Sequence, residues 1–251
     1  MKHVPKKLYH YTDINKLALI LKSQSVRFGR LDKVNDPMEG LSSDFHSLAH
    51  YIFISSWTSN ENEDFALWNM YTPSMRGVRI ELDLPLFKSY TLREDLSNSL
   101  VSKEEFVNEA GGYFVYGAEN TPEEILYTDD HALLKPSIKR SEGLHVKSLS
   151  KYKNSMWSIE QEYRYQLHIV PVDSQVKSNH FPDKYNHLIT GNVPPPMDGY
   201  FIKIDDIAFK GMRIRLGPKL LLGDDLVVES LVNNFNPSAI IEGSSLTNLI
   251  R

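Results

Sequence analysis

The chain has 251 residues, of which 41% are hydrophobic and 24% charged, and its formal net charge of -4 gives no overall attraction to nucleic acid or anionic lipid. It contains no cysteine, which excludes disulfides, thiolate metal ligands and a cysteine nucleophile. It has neither an apolar run of membrane-spanning length nor a signal-peptide core near its first residue, so we expect a soluble, cytoplasmic protein.

The first predicted elements are a short strand and a helix. Residues 8–12 combine aromatic and β-branched side chains, which is typical of a strand. Thr12 or Asp13 can cap a helix, and apolar residues recur at helical spacing over residues 14–21. His10 therefore lies at the end of a strand, just before a helix. A lone histidine is most often structural, so this position alone does not make it functional.

The next two predicted strands flank a turn. Residues 26–29 predict a short strand, and residues 51–59 predict a buried strand that ends in hydroxyl side chains. Among these, Ser56 and Thr58 can hydrogen-bond either a ligand or the following loop. The Asn-Asp-Pro sequence at residues 35–37 is typical of a turn, and a turn explains it sufficiently.

A short helix is expected after Asp64, which is a suitable cap. It carries Phe65, Trp68 and Tyr71 at intervals of three residues, on about one face. Two interpretations remain open: an aromatic stripe that faces the core, or a stacking wall for a flat ring. Residues 77–83 then alternate apolar and charged side chains, which predicts a half-exposed strand.

The middle of the chain contains two helix starts. Residues 102–105 form a capping box, which predicts a helix that ends at Gly111. Residues 113–116 predict a strand. Proline at the first helical position predicts a second helix over residues 121–134.

The most informative segment is residues 156–170, which contain no glycine or proline and predict one long strand. Alternation would place Glu160, Glu162 and Arg164 on one face. Two carboxylates this close repel, so one pKa should rise unless a cation lies between them, and Arg164 is the expected cation. The face is either a solvated surface with an ordinary ion pair or the wall of a site.

The last third begins with residues 173–198, which show little periodicity and predict a long loop, functional or mobile. Residues 200–204 and 207–210 are strand-like. Asp224 or Asp225 is expected to cap a final helix. Residues 239–241 predict a closing strand.

The strand predicted around Arg213 and Arg215 carries the best basic patch of the chain. A solvated sheet face explains it equally well, and no aromatic residues alternate with the arginines, so it supports nucleic-acid binding only weakly. The sequence lacks phosphate-binding glycine loops, H-E-x-x-H and G-x-S-x-G. Its short strands and few short helices, not in strict alternation, predict an α+β fold with residues 1–251 as one domain.

Read in order, several short motifs resemble a bacterial domain family of unknown function. The family pattern runs Tyr-His-Tyr-Thr, Asn-Asp-Pro, Ser-Phe-Ser, Trp-x-x-Tyr and Glu-x-Glu-Tyr-Arg. The chain departs from it with Val34 where phenylalanine is usual and with Ser-Trp-Thr in place of Ser-Phe-Ser. The matching residues are Leu8, Tyr9, His10, Tyr11, Thr12, Asn35, Asp36, Pro37, Ser56, Trp68, Tyr71, Trp157, Glu160, Glu162, Tyr163 and Arg164.

The order of these motifs is similar to that of ADP-ribosyltransferase-like domains. The resemblance implies two small mixed or antiparallel sheets with an NAD cleft between them, NAD as substrate and no metal. It implies catalytic roles for Glu162, Glu160 and His10, with Glu162 slightly preferred. It also implies a cofactor-binding set of His10, Tyr11, Thr12, Ser56, Thr58, Trp68, Tyr71 and Asn35.

The function implied by the resemblance is an NAD-consuming ADP-ribosyltransferase or NAD glycohydrolase, acting on an unidentified macromolecule or on water. A bacterial toxin or a phage-defence effector would have such an activity. The alternative is a non-catalytic nucleotide-binding or interaction module on the same fold, because fold does not determine function.

Overall fold

The computed structural model describes residues 5–45, 48–94, 96–108, 113–140, 143–172 and 193–250. The described chain is a mixture of α and β elements, as expected from the sequence. Its helices are α1 (Ile14–Ser23), α2 (Phe65–Tyr71), α3 (Lys103–Phe106), α4 (His131–Leu134), α5 (Asp206–Lys210) and α6 (Leu222–Phe235). Its strands are β1 (Lys7–Thr12), β2 (Ser25–Arg30), β3 (Ile52–Thr58), β4 (Val78–Asp83), β5 (Val107–Asn108), β6 (Tyr113–Tyr116), β7 (Glu123–Glu124), β8 (Leu126–Thr128), β9 (Lys139–Arg140), β10 (Gly143–Leu144), β11 (Tyr152–Asn154), β12 (Glu162–Pro171), β13 (Gly199–Lys203), β14 (Arg213–Leu216) and β15 (Ile240–Glu242).

Eleven of the described strands form one branched sheet. Its main path runs β15-β14-β4-β1-β3-β12-β6-β5, while β2, β7 and β13 pair beside it. Most pairings are antiparallel, but β14 and β15 are parallel. The sheet therefore differs from the two separate small sheets that were expected, because β3 joins the two halves.

Strand β3 changes partners along one of its edges. Its other edge pairs with β12 over seven residues, from Glu162 opposite Thr58 to His168 opposite Ile52. On the changing edge, Phe53 and Ile54 pair with β2, whereas Thr58 pairs with β1. No described strand covers residues 55–57 on this edge, so β1 and β2 diverge there and leave a cleft.

Local capping explains where the two helices beside this cleft begin. The Asp13 carboxylate accepts a hydrogen bond of 2.8 Å from the backbone N–H of Lys16 at the start of α1, as expected for a helix cap. Asp64 caps α2 in the same way, and its side chain accepts from Ala66 and Leu67. Helix α1 buries Leu17, Ile20 and Leu21 against the sheet.

The strand predicted over residues 156–170 is wrong in its first part. Residues Ser155–Glu160 form a 3₁₀ helix, whose start is capped by the Asn154 side chain. Gln161 then adopts the left-handed conformation, with φ 43°, and β12 begins at Glu162. The cause is the Asn154 cap, which offers the backbone an alternative to extended structure.

Four other predicted elements also differ from the structure. The helix predicted over residues 121–134 is replaced by β7, β8 and the short α4, because Asp130 is the cap. Residues 207–210 are helical rather than extended, since Asp205 caps α5. Helix α3 ends at Phe106. Helix α6 begins after Leu221, with Asp224 accepting from the Leu221 N–H.

Strand β4 is less exposed than its alternating pattern predicts. Arg79 is only 2% exposed, and its guanidinium stacks over the Tyr9 ring at 4.5 Å. The loop predicted over residues 173–198 falls mostly on residues 173–192, which lie outside the described residues. Among the helices that are described, none combines the length and the apolar character that a bilayer crossing requires.

Candidate functional site

A cavity of about 460 Å³ opens where β3 changes partners. This volume lies in the range of small-molecule sites. Eight of the ten residues that the sequence assigned to catalysis or cofactor binding line this one cavity: His10, Tyr11, Asn35, Ser56, Thr58, Tyr71, Glu160 and Glu162.

Thr12 and Trp68 lie outside the cavity. Thr12 is 2% exposed at the end of β1. Trp68 is fully buried, with its ring edge-on to the Tyr11 ring at 4.8 Å between centroids. The three aromatic residues of α2 therefore do not share one environment. Phe65 is 54% exposed, Trp68 is in the core, and only Tyr71 lines the cavity.

His10 lies on β1 with its Nδ1 atom 3.0 Å from the carbonyl oxygen of Ser56. Because a carbonyl can only accept, Nδ1 carries the proton in this contact, and Nε2 is left as the acceptor. Burial lowers the pKa of His10, so the ring is neutral at pH 7. His10 therefore offers a hydrogen-bond acceptor to a ligand in the cavity.

Glu162 is held as an ionised carboxylate at the start of β12. The Arg164 guanidinium donates to it from Nε at 2.8 Å and from Nη2 at 2.9 Å, and the Ser56 hydroxyl also hydrogen-bonds it. Burial alone would raise the pKa of Glu162, but Arg164 and Lys153 outweigh burial and lower it. Since Glu162 is 3% exposed, the solvated-surface interpretation of this strand face is wrong.

Glu160 lies at the end of the 3₁₀ helix in a different environment. One carboxylate oxygen accepts a hydrogen bond from the Tyr71 hydroxyl, and the other lies 2.6 Å from Lys153 Nζ. Burial raises the pKa of Glu160, and the nearby Glu162 charge adds to this effect although Lys153 opposes it. The two glutamates therefore differ in basicity, a pattern often found in active sites.

Lys153, which the sequence did not single out, connects these carboxylates. It lies on β11, and its side chain is 7% exposed. Its Nζ atom lies 3.5 Å from Glu162, 3.7 Å from Glu39 and 4.7 Å from the centre of the Trp157 ring. The pKa of Lys153 is raised, because the carboxylates together outweigh burial, which lowers it. Lys153 therefore stays charged.

Glu39 is the second residue that the sequence did not indicate. The predicted turn at residues 35–37 is present, with Asp36 accepting from the Met38 N–H at 2.9 Å, and it directs the Glu39 side chain inward. Gly40 follows with φ +75°, and a Cβ atom there would lie 2.6 Å from the Ala49 Cβ. Glu39 is 1% exposed in its side chain and lies 2.8 Å from Arg164 Nη2.

We call this buried group the cavity charge cluster. Its three carboxylates and two cations leave one net negative charge, which would stabilise positive charge that develops nearby. Its carboxylates converge on a lysine, and no group of His, Asp or Glu in the described part of the chain is arranged to hold a metal ion. The members of the cluster are Glu39, Lys153, Glu160, Glu162 and Arg164.

Two more cations line the cavity outside this cluster. Lys16 and Arg27 are 67% and 49% exposed, and each pairs with one carboxylate, Asp13 or Asp198. Such exposed pairs contribute little energy, so both cations can turn toward an anionic ligand. The described lining then holds four cations and three carboxylates.

The basic patch on β14 is neutralised by acidic partners. Arg213 forms an ion pair with Glu242, and Arg215 contacts both Glu242 and Glu63, at 2.7 and 3.3 Å. Paired arginines offer less charge to a phosphate backbone. The structure therefore adds no support for nucleic-acid binding at this face.

Comparison of the chain with protein-family models, with curated proteins and with solved structures found no match.

Proposed function

We propose that the cavity binds NAD and that the protein is an NAD-consuming ADP-ribosyltransferase or NAD glycohydrolase. The observation that supports this proposal is the convergence of His10, Ser56, Tyr71, Glu160 and Glu162 on one cavity, although they come from four separate segments of the chain. The motif resemblance in the sequence assigns the same residues to NAD.

The charge and shape of the cavity suit a dinucleotide. The exposed cations Lys16 and Arg27 are available for the two phosphates, which carry the negative charge of NAD. The Tyr71 ring lines the cavity and offers a flat surface for nicotinamide, because aromatic rings attract other flat rings in offset or edge-on geometry. With Trp68 buried, Tyr71 becomes the stacking residue in this proposal.

Glu162 has the main role in the proposed reaction. As the glycosidic C–N bond breaks, its electron pair leaves with nicotinamide, and the ribose develops positive charge. An ionised carboxylate fixed beside the ribose stabilises this charge without reorganising. Arg164 fixes Glu162, and each carboxylate oxygen keeps capacity to accept from the ribose 2′-hydroxyl.

His10 and Ser56 position the ribose. His10 Nε2 accepts a hydrogen bond from a ribose hydroxyl, since its Nδ1 proton is committed to the Ser56 carbonyl. Ser56 links His10 to Glu162. Its backbone carbonyl accepts a hydrogen bond from His10, and its hydroxyl hydrogen-bonds Glu162. Holding the reacting groups in place in this way lowers the entropic part of the barrier.

One observation favours a second candidate, a non-catalytic NAD-binding module. The Arg164–Glu162 contact engages both carboxylate oxygens, as a purely structural ion pair would. Such a module would show NAD-dependent thermal stabilisation without any turnover.

The test is nicotinamide release from NAD, followed by mass spectrometry, with NAD-dependent thermal stabilisation measured in parallel. We expect release by the wild type and a loss on the order of 10²–10³-fold in Glu162→Gln, since removing one group that stabilises transition-state charge has this effect. Glu124→Gln is the matched control, because Glu124 is exposed and pairs with the same strand; it should keep the wild-type rate.

Two outcomes contradict the enzyme proposal. Intact NAD together with thermal stabilisation would favour the binding module. Intact NAD without stabilisation would exclude both candidates.

A further inference from the structure

The groups around Glu160 restrict the kind of nucleophile that the cavity can accept. A cationic acceptor is attracted most strongly by a carboxylate whose charge no other cation already offsets. Both Glu160 oxygens already have partners, Tyr71 on one and Lys153 on the other. Both Glu162 oxygens have Arg164.

Lys153 cannot easily be displaced by an incoming cation. It is held by Glu160, by Glu162 and by Glu39 at distances of 2.6 to 3.7 Å, and the Trp157 ring lies against it. Breaking a buried ion pair by removing one partner is strongly unfavourable. A guanidinium or ammonium acceptor would therefore enter beside Lys153 rather than replace it.

A second buried cation makes that entry less favourable. Arg164 lies 2.7 Å from Glu162 and Lys153 lies 3.5 Å from it, so an acceptor beside these carboxylates meets two cations at close range, while Lys16 and Arg27 are taken up by the phosphates of NAD. Like charges placed together disfavour binding and are a common means of rejecting wrong partners. A neutral acceptor meets no such repulsion.

We propose that the acceptor is a neutral hydroxyl group, of water or of an alcohol, and that Lys153 excludes cationic acceptors by occupying their position beside Glu160. This inference rests on the proposed function. In the reaction the C–N bond to nicotinamide breaks, the hydroxyl oxygen bonds to the same ribose carbon, and its proton passes to the Glu160 carboxylate. Burial raises the pKa of that carboxylate, which makes it a stronger base.

The experiment is a competition in which the full chain is incubated with NAD and either methanol or agmatine, a small alkylguanidine. Mass spectrometry then separates three products: free ADP-ribose from water, the methyl glycoside, and the guanidine adduct. We expect the first two, with at least about a hundredfold less guanidine adduct than hydroxyl products. The ratio of ADP-ribose to methyl glycoside shows whether water or an alcohol is preferred.

Variants test the role of Lys153. Lys153→Met keeps a similar shape and removes the charge, so the fraction of guanidine adduct should rise about tenfold or more. Lys151→Met is the matched control, because Lys151 is exposed and two residues away; its product distribution should equal that of the wild type. Thermal unfolding checks that both variants are folded, and if Lys153→Met is not, the wild-type competition decides alone.

A wild type that transfers mainly to the guanidine would overturn the inference while leaving the proposed function intact. An unchanged product distribution in folded Lys153→Met would overturn the role of Lys153. Absence of nicotinamide release under all conditions would overturn the proposed function, and this inference with it.

Discussion

Two groups of buried carboxylates lie on either side of helix α2, and they are built differently. Glu63, just before the helix, is 1% exposed in its side chain. It accepts hydrogen bonds from the Trp68 indole, from both the backbone and hydroxyl of Ser245, and from the Ser244 hydroxyl, with Arg215 at 3.3 Å. We call this group the Glu63 cluster.

The cavity charge cluster lies at the other end of α2, where Tyr71 contacts Glu160. Here the carboxylates are paired mainly with Lys153 and Arg164 rather than with neutral donors. In the Glu63 cluster, several neutral N–H and O–H donors stabilise the single charge of Glu63, and these hydrogen bonds attach residues 244–245 to the core. The cavity charge cluster gathers charges around an open space, an arrangement that contributes little to stability and is ready to interact with a ligand.

The largest expected effect is on stability, from removal of the central cation. Arg164→Met removes the nearer of the two buried cations from both Glu39 and Glu162, which should lower the free energy of unfolding by about 3–5 kcal/mol. Arg215→Met is the comparison in the Glu63 cluster and should cost less, about 1 kcal/mol, because neutral donors still satisfy Glu63. Urea unfolding measures both, and equal losses would contradict the distinction between the clusters.

Glu63→Gln should have an intermediate effect, because it removes a carboxylate that several donors share. We expect a loss of about 1–3 kcal/mol in the free energy of unfolding, as for buried donors left without an acceptor. Nicotinamide release by the folded variant should match the wild type, since Glu63 does not line the cavity. A selective loss of NAD turnover without a loss of stability would show that the two clusters are not independent.

The smallest expected effect is a difference between Glu160 and Glu162 in how each changes the pH dependence of stability. Glu162 has a lowered pKa, so its stabilisation is present above the unfolded value of about 4.3 and is lost as pH falls through the folded pKa. Glu160 has a raised pKa, so wild-type stability declines relative to Glu160→Gln as pH rises through the folded pKa.

Unfolding of the wild type, Glu160→Gln and Glu162→Gln between about pH 3 and pH 8 measures these differences. The two wild-type-minus-variant curves should slope in opposite directions, with differences of about 1 kcal/mol. Parallel curves would mean that the two carboxylates share one environment.

The elements that the sequence predicted well are those with a strong local signal. Strands β1, β3 and β6 are short runs of aromatic and β-branched residues, and α1 and α2 have aspartate caps. These signals depend on neighbours in the chain, so they remain visible without tertiary structure. The grouping of His10, Ser56 and Glu162 was expected from motif order alone.

The rest of the site depends on distant contacts. Lys153 and Glu39 belong to no periodic pattern. Lys153 reaches Glu162 only through the fold of the nine residues that separate them, and Glu39 reaches Lys153 and Arg164 from a segment far away in the sequence. The long strand predicted before Glu162 was wrong because the Asn154 cap and the left-handed Gln161 outweighed the extended preference of the aromatic residues. A left-handed conformation at one residue, such as Gln161, is difficult to predict from amino-acid composition.

The left-handed Gln161 also places Glu160 and Glu162 in two different backbone elements. Its carbonyl accepts from the Ser59 N–H at 3.1 Å, so the bend is anchored to the end of β3. Glu162 belongs to the sheet register, opposite Thr58, whereas Glu160 ends a helical segment that pairs with no described strand. Position 162 is therefore fixed by the backbone pairing of the sheet, whereas position 160 is fixed through its side-chain contacts with Tyr71 and Lys153.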